Sequence, residues 1–383
     1  MQNADHKGGY RAATVRERFA GHSWTAPSRS RLGNRQDCPP HISRRSFLAT
    51  AVALTGCRRH RAGGEVSVYC WSDYIAADTV AAFEHETGLR VNYETFESQE
   101  EMLAKILAGG GGWDVVFPGN TLIGPMVRRG LIREIDHQRL SNLANLEARF
   151  LDPPWDRGVR HSVPYMWGLS GFVYNRKALG RAATAWADLW DPALRGKITM
   201  LDDPAEVLGA CLKKLGHSLN SIDERELQAA RAEALRQKPL LRAYLNAEVK
   251  PQLIAGDVWA AQLWNGDAYQ AIAENKDLAY CLPSEGFALY ADSAVILTQS
   301  RNPGSAYRWI DYLLRPDVSA SIARSTMFPT PNARALELLD PDLRTNPDLY
   351  PSPERLTNAE WFAEISSEGQ SLRDRIWTEI KAA

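Results

Sequence analysis

Residues 65–93, EVSVYCWSDYIAADTVAAFEHETGLRVNY, decide the fold class. From Glu65 to Tyr69 the apolar Val66 and Val68 alternate with their neighbours, the period of a strand with one face on a core. From Ala77 to Thr87 the side chains of Val80 and Phe83 fall on one side of a helix. Gly88 then stands where a left-handed residue ends such a helix. Leu89, Val91 and Tyr93 alternate again as a second strand. A strand, a helix and a strand in this order form a crossover that brings the second strand back parallel to the first.

The same grammar continues downstream. Ser98-Gln99-Glu100-Glu101 reads as a capping box that opens a helix carrying Met102, Leu103, Ile106 and Leu107. Trp113 to Phe117 reads as a third strand and Thr121 to Arg129 as a third helix. Two such units in succession predict an α/β fold, a largely parallel sheet with helices on both faces. A second block follows the Pro-rich loop at Asp152-Pro153-Pro154. Ser162 to Asn175 is extended and apolar, and carries the chain between domains. Strands are expected at Lys197–Leu201 and Val258–Trp264, with further extended runs at Leu278–Leu282 and Ala288–Leu297. Helices are expected at Glu206–Leu215, Glu224–Lys238, from Ala268, at Ser305–Leu314 and at Ala320–Ser325, with a short one at Trp186–Trp190. With 383 residues the chain exceeds the size at which one core keeps growing, and about two domains are expected.

Upstream, the apolar run Phe47–Gly56 is about half the roughly twenty residues that a spanning helix requires. It follows Arg44-Arg45 and ends in small residues, the order of an export signal. Ser43-Arg44-Arg45-Ser46-Phe47-Leu48 looks like a twin-arginine signal. Leu54-Thr55-Gly56-Cys57 looks like a lipobox, in which Cys57 becomes the lipidated first residue. Residues 1–57 are therefore read as a leader; the competing reading is a short buried helix with a chance cysteine. Charge separates the two parts. Residues 1–57 hold nine Lys/Arg against three Asp/Glu, leaving 36 against 43 in the rest. That remainder offers nucleic acid no basic field and mildly favours a cationic small molecule. Cys70, Cys211 and Cys281 show no metal-ligand spacing and read as buried thiols, with one disulfide of unreadable pairing left open.

Candidate chemistry sits where ligands of open α/β sheets bind, at strand ends. After the first strand come Trp71-Ser72-Asp73-Tyr74, after the Lys197 strand Asp202-Asp203-Pro204-Ala205-Glu206, and after the Val258 strand Trp264-Asn265-Gly266-Asp267. Tyr290-Ala291-Asp292 lies on a later extended run. Each cluster pairs an aromatic ring or a helix start with carboxylates. Rings attract cations by about 0.5–2 kcal/mol each, and carboxylates supply the charge-assisted hydrogen bonds that offset desolvation of an ammonium. Together they suit a slender molecule with a cation at each end. Taken singly they have plainer readings: rings in a core, Asp203 and Glu206 as a helix cap, Asp292 paired with an arginine. Gly109–Gly112 lacks the Lys-Ser/Thr of a phosphate loop, and neither H-E-x-x-H nor G-x-S-x-G occurs. Asp203 and Glu206 lie side by side, whereas glycosidase carboxylates flank a bond. No enzyme, metal or cofactor is expected.

From about Val66 to Ala382 the chain resembles the spermidine/putrescine-binding proteins that deliver polyamines to ABC importers. The strings that carry the resemblance are Trp71-Ser72-Asp73-Tyr74, Phe83-Glu84 with Glu86-Thr87-Gly88, Val163-Pro164-Tyr165-Met166-Trp167-Gly168 and Asp202 to Val207. Trp264-Asn265-Gly266, Leu313 to Val318 and Pro329-Thr330-Pro331-Asn332 follow in the same order. The resemblance implies a two-lobe periplasmic binding protein of type II, each lobe a mostly parallel sheet flanked by helices, with a hinge between them. One lobe would comprise 65–164 plus about 292–328, the other 165–291 plus about 329–383. It implies a cleft with Trp71, Ser72, Asp73 and Tyr74 on one wall. Asp203 and Glu206 would hold an ammonium, Trp264 would stack on methylenes with Asp267 close by, and Asp292 would anchor another amine. Tyr290 and Phe328 would supply rings. Three positions depart from the family pattern: Pro118-Gly119-Asn120-Thr121 lacks a serine and a tyrosine, Phe328 replaces a tyrosine, and Phe362 replaces a polar residue. The partners implied are a polyamine and a membrane permease, with the protein a periplasmic monomer, exported by the twin-arginine route and anchored through Cys57. The alternatives are a binding protein for another organic cation and a polyamine sensor.

Overall fold

The computed structural model describes residues 64–383; the twin-arginine string, the lipobox and Cys57 lie outside the described residues. Ten strands occur in this part: β1 Glu65–Trp71, β2 Arg90–Phe96, β3 Val115–Val116, β4 Val163–Asn175, β5 Ile198–Met200, β6 Leu241–Tyr244, β7 Ala260–Trp264, β8 Leu278–Cys281, β9 Ala288–Ile296 and β10 Glu360–Trp361. They join in the order β2-β1-β3-β9-β4-β7-β5-β6, with β8 on β4 and β10 on β9.

The deciding stretch folds as its pattern dictates. β1 and β2 pair in parallel from Glu65↔Arg90 to Trp71↔Phe96, and the helix Thr79–Thr87 crosses between them. Gly88 ends that helix at φ 70°, donating its N–H to the Glu84 carbonyl. Along β1 successive side chains enter opposite cores. Val66, Val68 and Cys70 pack with Phe83 and Trp309, while Tyr69 packs with Phe96, Met102 and Trp113. Two further cores lie on the two faces of the β5–β7 region. One holds Phe172, Tyr174, Ile198, Met200 and Val207; the other holds Val173, Leu201, Ala261 and Leu263. Helix-backed sheets with separate cores on each face are the two-lobe architecture.

Pairing is parallel in the outer strips, β2-β1-β3 and β7-β5-β6. It is antiparallel in the middle, where β9 meets β3 and β4, and β4 also meets β7 and β8. β4 and β9 are thus shared strands. Val163 of β4 faces Ala294 of β9, and Tyr174, near the other end of β4, faces Ala260 of β7. β4 is buried at every position but Asn175, as a strand covered on both faces must be.

Several boundaries differ from the sequence expectation. The third strand shrinks to Val115–Val116, and the helix expected from Ala268 begins at Asn265, directly after Trp264. β6, the short helix Lys250–Ala255 and the helix Ser367–Ala382 carried no expectation. The last has a thin buried stripe of Gly369, Arg373, Ile376 and Ile380, and the arginine within it hides the apolar period. Cys70, Cys211 and Cys281 are buried and free, so the disulfide left open is absent. Among the described residues no helix is long and apolar enough to cross a membrane.

Candidate functional site

β1 delivers the first cluster. After Trp71 the chain turns at Asp73, whose φ of 52° is one that Asp tolerates better than most residues. The turn lets both flanking aromatic residues reach Asp292 on β9. Trp71 Nε1 donates to Asp292 Oδ1 at 3.2 Å, and the Tyr74 hydroxyl donates to Oδ2 at 2.7 Å. Asp292 is 6% exposed. Burial pushes its carboxyl up to about 7, although both hydrogen bonds pull the other way. Tyr74 is itself pushed far above the ordinary tyrosine range by burial and by the Asp292 charge, so it remains a donor. Among the described residues no arginine pairs with Asp292.

β5 delivers the second cluster. Asp203 caps the helix Pro204–Lys214, its Oδ1 accepting from the N–H groups of Ala205 and Glu206 at 2.8 and 3.1 Å. The cap reading is therefore correct for Asp203, and the same carboxyl also faces the cavity described below. Glu206 is 4% exposed and accepts from Ser170 Oγ at 2.7 Å and from Trp264 Nε1 at 2.9 Å. Burial raises both acids, and the neighbouring charge of Asp203 raises Glu206 further. No protein cation bonds to Glu206, Asp203 or Asp292 among the described residues.

β7 ends at Trp264, and Asp267 sits in the first turn of the helix Asn265–Glu274. Tyr290 projects from β9 against Gly168 of β4, where any Cβ would lie 2.2 Å from its hydroxyl oxygen. That hydroxyl is buried and has no partner among the described residues. Its ionisation is opposed by burial first, then by the charges of Asp292, Asp267 and Glu206 among others. The ring is therefore within electrostatic reach of three acids, Glu206 and Asp267 just beyond the ends of β5 and β7 and Asp292 in the middle of β9. Phe328 lies over Gly266 and meets Tyr74 edge-on at 5.0 Å between centroids.

Trp71, Ser72, Asp73, Tyr74, Asp203, Glu206, Trp264, Asp267, Tyr290, Asp292 and Phe328 all line one cavity of about 750 Å³. Asp202, singled out beside Asp203, is not among them: it is exposed and pairs with Lys381 at 2.6 Å instead. Ser72 is already engaged, its hydroxyl donating to Glu97 at 2.5 Å. Asn120, Thr121 and Phe362, the positions of family departure, also reach the cavity. Sequence reasoning missed Glu97, Gln99, Asn246, Glu248 and Lys250, which lie outside the strand-end clusters. Lys250 is the one Lys or Arg among the described lining residues. A cavity with this excess of carboxyls and with indole and phenol faces is built to receive positive charge on an apolar stem.

Comparison with known proteins agrees with this chemistry. Residues 78–351 match the family described as bacterial extracellular solute-binding protein. The putrescine/cadaverine-binding protein of Pseudomonas aeruginosa is 33% identical over 350 residues, covering 88% of this chain and 99% of that one. The spermidine/putrescine-binding periplasmic protein of Escherichia coli is 33% identical over 343 residues, covering 89% and 98%. A solved chain from Listeria monocytogenes, named for spermidine/putrescine ABC transport, superposes with a TM-score of 0.80. It is 33% identical and covers 83% of this chain and 99% of its own.

Proposed function

The chain belongs to the bacterial extracellular solute-binding proteins, and from that premise we propose that it captures a polyamine, putrescine or spermidine, and delivers it to an ABC importer. The observation that carries this reading is the set of carboxyls without a protein cation among the described residues, the buried Asp292 and Glu206 and the half-buried Asp203, arranged around Tyr290 and Trp264. Each ammonium of a diamine would replace the proton that burial favours there, and its hydrogens would satisfy the carboxylate oxygens. Trp264 and Tyr290 would cover the methylenes. The acids favour primary amines with hydrogens to donate over quaternary groups, which favour cages of rings alone.

Binding is proposed to occur without turnover and in a monomer, with Cys57 lipidated after export by the twin-arginine route. The lobes would comprise 65–164 plus about 292–328, and 165–291 plus about 329–383. Titration calorimetry of the purified protein with putrescine and spermidine tests the central claim. Saturable heat at one site per chain is expected. Absence of heat with these two amines, cadaverine and spermine would end the proposal.

A further inference from the structure

One acid of the cavity is already occupied by the protein's own cation. Lys250 opens the short helix Lys250–Ala255, and its Nζ donates to Asp267 Oδ1 at 2.7 Å and to Gln270 Oε1 at 2.6 Å. Gln270 is held in turn, its Nε2 donating to the Thr326 carbonyl at 2.8 Å. The ion pair is largely buried, with the Lys250 side chain 17% exposed and that of Asp267 8%. Across the cavity mouth Asp73 Oδ2 lies 4.0 Å from the same nitrogen, on a side chain that is 83% exposed. Lys250 therefore stands between an acid of the β7 end and an acid of the β1 end, where a ligand ammonium would otherwise go.

We propose that Lys250 is a specificity-determining residue: its ammonium closes the Asp73/Asp267 end of the cavity to a ligand nitrogen, so the site takes a short diamine and rejects polyamines with a third cationic centre. This inference rests on the polyamine reading above. A ligand nitrogen that approached Asp267 would either displace Lys250 from two short hydrogen bonds, leaving it unpaired, or share the space with a like charge. The Asp292 and Asp203/Glu206 groups meet no such resident cation; the other lining carboxyls, Glu97 and Glu248, are exposed, and so two sheltered ammonium positions remain. A carboxylate-ended ligand fares no better at Lys250, because Asp267 already neutralises it and further acids surround it. Rejection by a resident charge is a specificity device acting against the wrong ligand rather than for the right one.

The test compares putrescine, spermidine and 4-aminobutyrate by titration calorimetry on the wild-type protein, Lys250→Met and Lys250→Arg. Methionine keeps an unbranched stem and removes the charge; arginine keeps the charge. The wild type is expected to prefer putrescine over spermidine. Lys250→Met should shift the spermidine-to-putrescine affinity ratio at least tenfold toward spermidine, and Lys250→Arg should leave the wild-type preference in place. A ratio unchanged in Lys250→Met, in a protein that still binds putrescine, overturns the role of Lys250 alone. Wild-type binding of 4-aminobutyrate more tightly than putrescine overturns it too, since Lys250 would then be receiving a carboxylate. If the wild type and both variants bind no amine, the polyamine reading falls and this inference with it.

Discussion

Asp292 carries two opposed demands. Its carboxyl is held by Trp71 and Tyr74 in a buried place, and burial raises it from the ordinary aspartate value to about 7. In the empty protein the folded state therefore binds a proton more tightly than the unfolded chain does. Stability from this group is present at about pH 4 and is lost as pH rises toward 7. Asp292→Asn removes the ionisation while keeping an acceptor. The empty variant is expected to be more stable than the wild type at pH 8, by about 1–4 kcal/mol, and nearly equal to it at pH 4, as read by urea denaturation. Its affinity for putrescine should fall by about 2–5 kcal/mol, because one ammonium would lose its counter-charge. A variant less stable at both pH values, or with unchanged affinity, contradicts this account of the residue.

At the scale of elements, strand ends and helix starts bring the acids together with Asp292, which projects from the middle of β9. The helix Pro204–Lys214 opens with Asp203 as cap, Pro204 in its first turn and Glu206 just behind, so one local motif fixes two acids. Its two roles are separable. Asp203→Asn keeps a capping oxygen, so its melting temperature should stay close to the wild type while putrescine binding weakens. Asp203→Ala should lose about 1 kcal/mol of stability as well. Equal affinities in all three proteins would leave Asp203 a cap and nothing more. The placement of these acids was legible in the sequence because period-2 runs locate strands, and ligands of such sheets gather beyond strand ends. Lys250 was not legible. It sits in a stretch without strong periodicity, and its meaning depends on Asp267, Gln270 and Asp73, which only the tertiary fold brings to it. The extent of β3 failed for a related reason: Trp113 and Phe117 are buried, yet only Val115 and Val116 make ladder pairs. The unforeseen helix Ser367–Ala382 packs Ile376 and Ile380 into the core of Phe172 and Val207, a partner far away in sequence.

At the scale of the whole molecule, β4 and β9 run through the middle of the sheet and touch both parallel strips. A third passage follows β10. Phe362 accepts from Asn120 Nδ2 at 2.6 Å, while Asn220 holds the Trp361 carbonyl and the Ala363 N–H at 2.9 Å each. These passages are the proposed hinge, and the cavity lies where the strand ends of the two strips face each other. Ligand that pairs with Asp292 and Glu206 together joins groups carried by different parts, and so favours the closed arrangement. Small-angle scattering should show a smaller radius of gyration on adding putrescine to the wild type, and a smaller change for Asp292→Asn at equal ligand concentration. An unaltered wild-type profile at saturation would exclude closure on binding.

The most direct test of polyamine capture is a crystal structure of the protein grown with putrescine. One ammonium should lie within hydrogen-bond distance of Asp292 and the other within reach of Asp203 or Glu206, with the methylenes against Tyr290 and Trp264. Putrescine absent from this cavity at saturating concentration, or seated away from both groups of acids, would contradict it.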